Sequence, residues 1–204
     1  MPFEYNTSMK CLSEIFFLSD PTVVARALLG KRLVRRLNGR RISGIISETE
    51  AYRGEDDLAC HAHRGKTRRN AVMYANGGRA YIYFTYGMHW CLNAVCGAEG
   101  YPAAVLIRAL QPEEGLDLIA AHRPGVKPAL WCNGPAKICK AFNVDGELNG
   151  SLLTDSSNPL FIEEGIKVED KSIHTSARIG IDSTPEPWRS IPWRFTITNE
   201  VGTC

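Results

Sequence analysis

Residues Lys31–Tyr52 read KRLVRRLNGRRISGIISETEAY. Two strand-like runs flank Asn38-Gly39. That dipeptide tolerates positive φ at both centres of a type I′ turn, whose twist suits a tight β-hairpin. The stretch therefore predicts an antiparallel hairpin. Upstream, SDPTVVARALLGKRL predicts a helix that Asp20 can cap, with Pro21 in its first turn and Gly30 ending it. Downstream, RAYIYFTYGMHWCLNAVCG is aromatic and β-branched on both sides of Tyr86-Gly87, which predicts a second hairpin. PAAVLIRALQP predicts a short, mostly apolar central strand.

The remaining segments complete the frame. GEDDLACHAHRG reads as a loop or a short helix, and TRRNAVMYANGG as a short helix ended by Asn76-Gly77-Gly78. PEEGLDLIAAH and NGPAKICKAFNV read as helices with Pro112 and Pro135 near their starts. The last fifty residues carry short strands and turns. A chain of 204 residues with this pattern predicts one mixed α/β (α+β) domain, 1–204, around a largely antiparallel sheet.

Charge is unevenly spread. Lys31 to Arg79 holds twelve Lys/Arg against five Asp/Glu, a local +7 in a chain whose net is +2. Such a basic face suits a polyanion, although a merely solvated face would show the same count. The seven cysteines include no CxxC pair, so buried reduced thiols are expected. Cys60, His61 and His63 lack a second ligand pair at suitable spacing, so no metal is expected. His61 reads instead as a hydrogen-bond donor to a ligand or a backbone group. No apolar run reaches about 18 residues, and MPFEYNTSMK lacks a basic-then-apolar leader. No membrane span and no signal peptide are expected, and a cytoplasmic location follows.

In an ideal strand, Glu48, Glu50 and Tyr52 share one face and Thr49 and Ala51 the other. Two carboxylates beside a ring could line a pocket, or could edge the sheet in water. Arg108 bears on that choice. It sits within AAVLIRAL, where an unpaired guanidinium would be costly. Glu48 or Glu50 on an adjacent strand is its natural partner, and the ion pair could be purely structural. At the second hairpin's tip, Tyr86 and Met88 are poor for solubility unless they bind something or fold back. A DNA base step opened from the minor groove accepts such a wedge.

Together these stretches resemble the alkyladenine (3-methyladenine) DNA glycosylases. The likeness rests on VARALLGKRLVRRL, ISETEAYRGEDDLACH, RGKTRRN, YIYFTYGMHWCLN, VLIRALQPEEGL, NGPAKICKAF and ARIGI, spanning about residues 20–195. The resemblance implies a single domain with a curved antiparallel sheet, flanking helices and a protruding hairpin. It implies a monofunctional base-excision repair enzyme without lyase activity, metal or organic cofactor. It also implies action on double-stranded DNA with damaged purines, approached from the minor groove; a monomer is the default expectation, and the cytoplasmic location is expected to be nucleoid-associated. Family substrates include 3-methyladenine, 7-methylguanine, hypoxanthine and ethenoadenine.

By the same resemblance, Glu50 activates water, Arg108 helps to position it, and the backbone carbonyl of Ile179 is a third water ligand. Tyr52 and Tyr83 are implied to wall the base pocket, His61 to make its polar contact, and Asn93 to crowd the guanine 2-amino group. Tyr86 would fill the gap left by a flipped base, with Met88 beside it. Arg69 and Lys137 are the expected phosphate contacts, and Glu48 keeps no specified role. His89, Trp90 and Arg68 depart from the family pattern. Two other classes remain open: a non-catalytic damaged-DNA-binding module, and a hydrolase of free nucleosides.

Overall fold

Asn38 and Gly39 both take positive φ, 51° and 76°, and the first hairpin closes between them. The structure is a computed structural model that describes residues 10–198. Cys204 and the stretch 1–9 lie outside the described residues. In chain order the helices and strands are α1 (Glu14–Phe17), α2 (Pro21–Leu28), β1 (Arg32–Leu37) and β2 (Arg40–Arg53), then β3 (Ala80–Thr85), β4 (His89–Val95) and β5 (Ala103–Glu114). They continue as α3 (Leu116–His122), α4 (Pro135–Ala141), β6 (Leu160–Glu163), β7 (Ile173–Ser176) and β8 (Arg194–Ile197).

The strands form one sheet in the order β3-β4-β5-β2-β1-β6, with β8 also on β2 and β7 on β8. All strand pairs are antiparallel. The long β2 organises it. Its first half pairs with β1, its second half with β8, and β5 runs along its other edge. The β2–β5 register is the same at Ile46↔Leu110 and Thr49↔Ile107 but is interrupted by a bulge-like irregularity at Glu48, which faces Ala109. Such a bulge bends a strand and re-aims its side chains, a common device beside active sites.

Asp20 caps α2 by accepting the Thr22 amide at 2.9 Å, and Pro21 occupies the first turn, as the sequence predicts. Val24, Ala25 and Leu28 on α2 and Ile138 on α4 join Ile46, Leu92 and Ile107 in the main core on one sheet face. Burying a side chain of that size contributes about 1.5–3 kcal/mol. On the other face Met73, Tyr81, Val95 and Ala104 form a smaller cluster, against which Tyr52 and Tyr83 pack.

Three sequence expectations change. The strand in PAAVLIRALQP runs on to Glu114, so Pro112 belongs to β5 rather than to a helix start. Pro112 faces Gly44 at a register shift, a place where a strand tolerates proline. Helix α3 begins instead after Gly115, at φ 68°, where an added Cβ would meet the Arg41 carbonyl oxygen at 2.7 Å. TRRNAVMYANGG holds only a single 3-10 turn, Ala71–Tyr74, and GEDDLACHAHRG is a loop. Of the cysteines, Cys60, Cys91, Cys96, Cys132 and Cys139 are buried free thiols and Cys11 is a half-buried one. Among the described residues no helix is long and apolar enough to cross a membrane.

Candidate active site

The β2 alternation places Glu48, Glu50 and Tyr52 toward the same face, while Thr49 and Ala51 are buried on the other. Glu50 is fully buried and fully engaged. Its Oε1 accepts the Ile179 amide at 2.7 Å. Its Oε2 accepts the Tyr52 hydroxyl at 3.0 Å and Arg108 Nη1 at 3.2 Å. Arg108 reaches both carboxylates, since its Nε donates to Glu48 Oε1 at 2.8 Å. Arg194 Nε donates to the same Glu48 oxygen at 2.6 Å. The sequence allowed either glutamate as the partner of Arg108, and the fold supplies both.

Burial pushes the Glu50 carboxyl above the usual glutamate range. Arg108, the Ile179 amide and the Tyr52 hydroxyl pull it back down, and Glu48 adds to the rise. For Arg108, burial opposes the charge, but the two carboxylates outweigh it and the guanidinium titrates above its ordinary value. A carboxylate held by three donors yet reluctant to ionise is poised to take a proton from water.

The three groups that hold Glu50, namely Tyr52, Arg108 and Ile179, line a cavity of about 300 Å³ together with His61, Tyr83 and Asn93. The volume lies at the small end of ligand pockets. A larger groove of about 560 Å³ runs between α2 and the Ile166–Val168 segment. Its acid, Asp170, is already paired with Arg26 at the surface, so chemistry rather than size marks the smaller cavity. Cross-strand register explains the lining: Tyr81 faces Asn93 and Tyr83 faces Cys91 on the β3–β4 pair. Asn93 donates its Nδ2 to the Tyr81 carbonyl oxygen at 3.0 Å, which fixes its side chain.

His61 enters from the Asp57–Asn70 loop. Its Nδ1 shares a 2.9 Å hydrogen bond with the Tyr81 hydroxyl, and its ring stands edge-on to Tyr83 at 4.5 Å between centroids. Burial, helped by the nearby Arg69 and His63 charges, pulls its pKa down to about 4, so the ring is neutral at physiological pH. Asn70 ties the loop by donating to the His61 and Gly65 carbonyls at 2.9 and 3.0 Å.

Beneath Tyr52 lies a buried ion pair that sequence reading missed. Arg178 donates to both Asp57 oxygens, at 2.5 and 2.9 Å, and to the Ala51 carbonyl at 3.0 Å. Its guanidinium centre sits 4.7 Å from the Tyr52 ring centroid. Arg178 precedes Ile179 in the ARIGI motif, so the signal was present; its partner Asp57 sits in the acidic start of GEDDLACHAHRG, where nothing local marks it as buried. Tyr81 and Arg194 were also passed over, although alternation already put Tyr81 on the face of Tyr83.

Tyr86, at φ 51°, and Met88 form the hairpin tip, 85% and 67% exposed. Tyr86 also borders the cavity. The tip is not folded back onto the domain. Arg69 donates to the Phe84 carbonyl at 3.1 Å and lies 5.3 Å from the Tyr83 ring centroid, so it braces this hairpin. Lys137, in the first turn of α4, donates to Asn133 Oδ1 at 2.8 Å and lies two residues from Pro135, which lines the cavity. Among the described residues no His/Cys/Asp/Glu group is arranged to hold a metal ion.

Residues 15–201 match the family described as methylpurine-DNA glycosylase (MPG). A protein of Carboxydothermus hydrogenoformans is 45% identical over 184 residues, covering 90% of this chain and 93% of that protein. One from Chlamydia felis is 47% identical over 190 residues, covering 91% and 95%. One from Methanocella arvoryzae is 47% identical over 181 residues, covering 88% of each. All three bear the name "Putative 3-methyladenine DNA glycosylase".

Proposed function

The chain belongs to the methylpurine-DNA glycosylase family, and we propose that it excises alkylated or deaminated purines from duplex DNA by a monofunctional, water-based reaction. The observation that carries this reading is the buried Glu50 carboxylate, held by Ile179, Tyr52 and Arg108, three residues that line the cavity. As the N-glycosidic bond breaks, its electrons leave with the purine and positive charge develops on the sugar. Glu50 stabilises that charge and takes a proton from the attacking water, whose oxygen bonds to C1′. Arg108 keeps Glu50 ionised and helps to orient the water, and the Ile179 carbonyl is a further ligand for it. No lysine nucleophile enters, so the product is an abasic site.

The target base must leave the stack to reach such a pocket, at a cost of a few kcal/mol that is least for damaged bases. Tyr52 and Tyr83 sandwich it, and Tyr86 fills the space it vacates, with Met88 alongside. With the Tyr81 hydroxyl donating to Nδ1, neutral His61 carries its proton on Nε2 and donates it toward the base. Asn93 crowds a guanine 2-amino group. Cationic 3-methyladenine and 7-methylguanine leave readily, whereas neutral hypoxanthine and ethenoadenine need a proton on the leaving base. Arg69 and Lys137 contact phosphates from the minor-groove side, and the protein acts as a monomer.

Release of hypoxanthine from an inosine-containing duplex, set against release from free inosine, tests this reading. Duplex-only release with a Glu50→Gln variant that binds but does not cleave is the expected result. Equal release from free inosine favours a nucleoside hydrolase, and binding without release favours a non-catalytic module.

A further inference from the structure

Glu48 has no part in the reaction just described, yet two arginines converge on one of its oxygens. Arg108 Nε lies 2.8 Å and Arg194 Nε 2.6 Å from Glu48 Oε1. At its other end Arg108 presents Nη1 to Glu50 at 3.2 Å. The four side chains form an alternating row, Arg194–Glu48–Arg108–Glu50, drawn from the adjacent strands β8, β2 and β5.

The strand register explains the row. β8 pairs with β2 across Glu48–Glu50, with Arg194 opposite Glu50. On the other edge, the β2–β5 register passes from Glu48↔Ala109 to Thr49↔Ile107 and skips Arg108. Arg108 thus stands at an irregularity, where the ladder does little to fix it. A long arginine side chain tied only through Nη1 would keep much of its rotamer freedom, whereas a second bond through Nε sets the plane of its guanidinium.

We propose that Glu48 is a positioning residue: it anchors Arg108 through Nε so that Nη1 meets Glu50, and Arg194 offsets the charge of Glu48 beside the reacting carboxylate. This rests on Glu50 being the water-activating group. The charged and titratable groups facing Glu50 are Arg108 from β5, Glu48 and Tyr52 from β2, and, through Glu48, Arg194 from β8. Of these, the Arg108 charge lowers the Glu50 carboxyl and the Glu48 charge raises it. Glu48→Gln keeps an acceptor oxygen for Arg108 and removes only the charge, whereas Glu48→Ala removes both.

The experiment is single-turnover release of hypoxanthine from an inosine duplex by wild type, Glu48→Gln, Glu48→Ala, Arg108→Met and the Glu48→Ala/Arg108→Met pair, followed across the acid limb. Glu48→Ala is expected to slow release roughly 10–100-fold, the scale of a misplaced catalytic geometry. Glu48→Gln should recover most of that rate and move the acid limb to lower pH. In the Arg108→Met background, Glu48→Ala should add no further loss, because it acts through the missing arginine. Equal losses in both backgrounds, a wild-type rate for Glu48→Ala, or Glu48→Gln as slow as Glu48→Ala would overturn the positioning role. Any of these in an active wild type leaves the proposed function standing, whereas a wild type that releases no base overturns both.

Discussion

The buried carboxylate behind the cavity wall and the hairpin tip follow opposite rules. Glu50 is wholly buried and each of its oxygens has a donor, while Tyr86 is 85% exposed. Burying a carboxylate requires nearly complete pairing, and leaving a tyrosine and a methionine in water contributes nothing to folding. Both arrangements fit a ligand site, the buried one because its partners Tyr52, Arg108 and Ile179 line a cavity. On the proposed function, the buried group is held rigid for chemistry and the exposed pair is available for insertion. The difference teaches that, on this reading, function shows itself as unusual burial at one place and unusual exposure at another.

The sharpest way to break the contrast is Glu50→Gln. It should lower single-turnover excision by about 10²–10⁴-fold, the usual worth of a general base, while leaving damaged-DNA binding in place. Normal turnover by that variant would remove the mechanism. Next comes the support beneath the pocket. Arg178→Met leaves the buried Asp57 charge without its cation and with only the Arg53 and Ala59 amides as donors, so denaturant melts should show a loss of about 3–5 kcal/mol. An unchanged midpoint would mean that these two amides and water suffice for Asp57.

At the tip, Tyr86→Ala should slow excision from duplex on the order of 10–100-fold, corresponding to part of the few kcal/mol of base flipping. The Glu50 acid limb should stay where it was. Unchanged rates and unchanged 2-aminopurine fluorescence would count against insertion. The pH profile probes the buried side. The proposed mechanism requires ionised Glu50, whose pKa lies above the ordinary glutamate value, so rate should fall with decreasing pH sooner than for a solvated glutamate. Arg108→Met removes a lowering charge and should move that limb higher still; a limb that moves down would contradict the assignment. The smallest effect is expected at the surface, where Arg69→Ala should reduce the salt slope of DNA binding by about 1. Arg69 also braces Phe84, so a binding loss without a slope change would reassign it to a purely structural role.

Much of this was legible along the chain because it depends on local periods and turn chemistry. Asn38-Gly39 announced the first hairpin, and the alternation of Tyr81 and Tyr83 put two aromatics on one face. Pro112 misled because a proline after an apolar run suggests a helix start, and only the register with Gly44 shows a strand continuing past it. Arg178 and Asp57 were illegible as partners because 121 residues separate them and nothing local pairs them.

The sequence by itself determined the hairpins, the α2 cap and the shared face of Glu48, Glu50 and Tyr52, since near-neighbour sterics and the two-residue strand period suffice for these. Tertiary structure alone decided that Arg108 holds both glutamates, that Arg194 joins them, and that the Ile179 amide bonds to Glu50. Those contacts depend on which strands become neighbours and where their register slips, and a buried charge settles only where distant segments bring it partners.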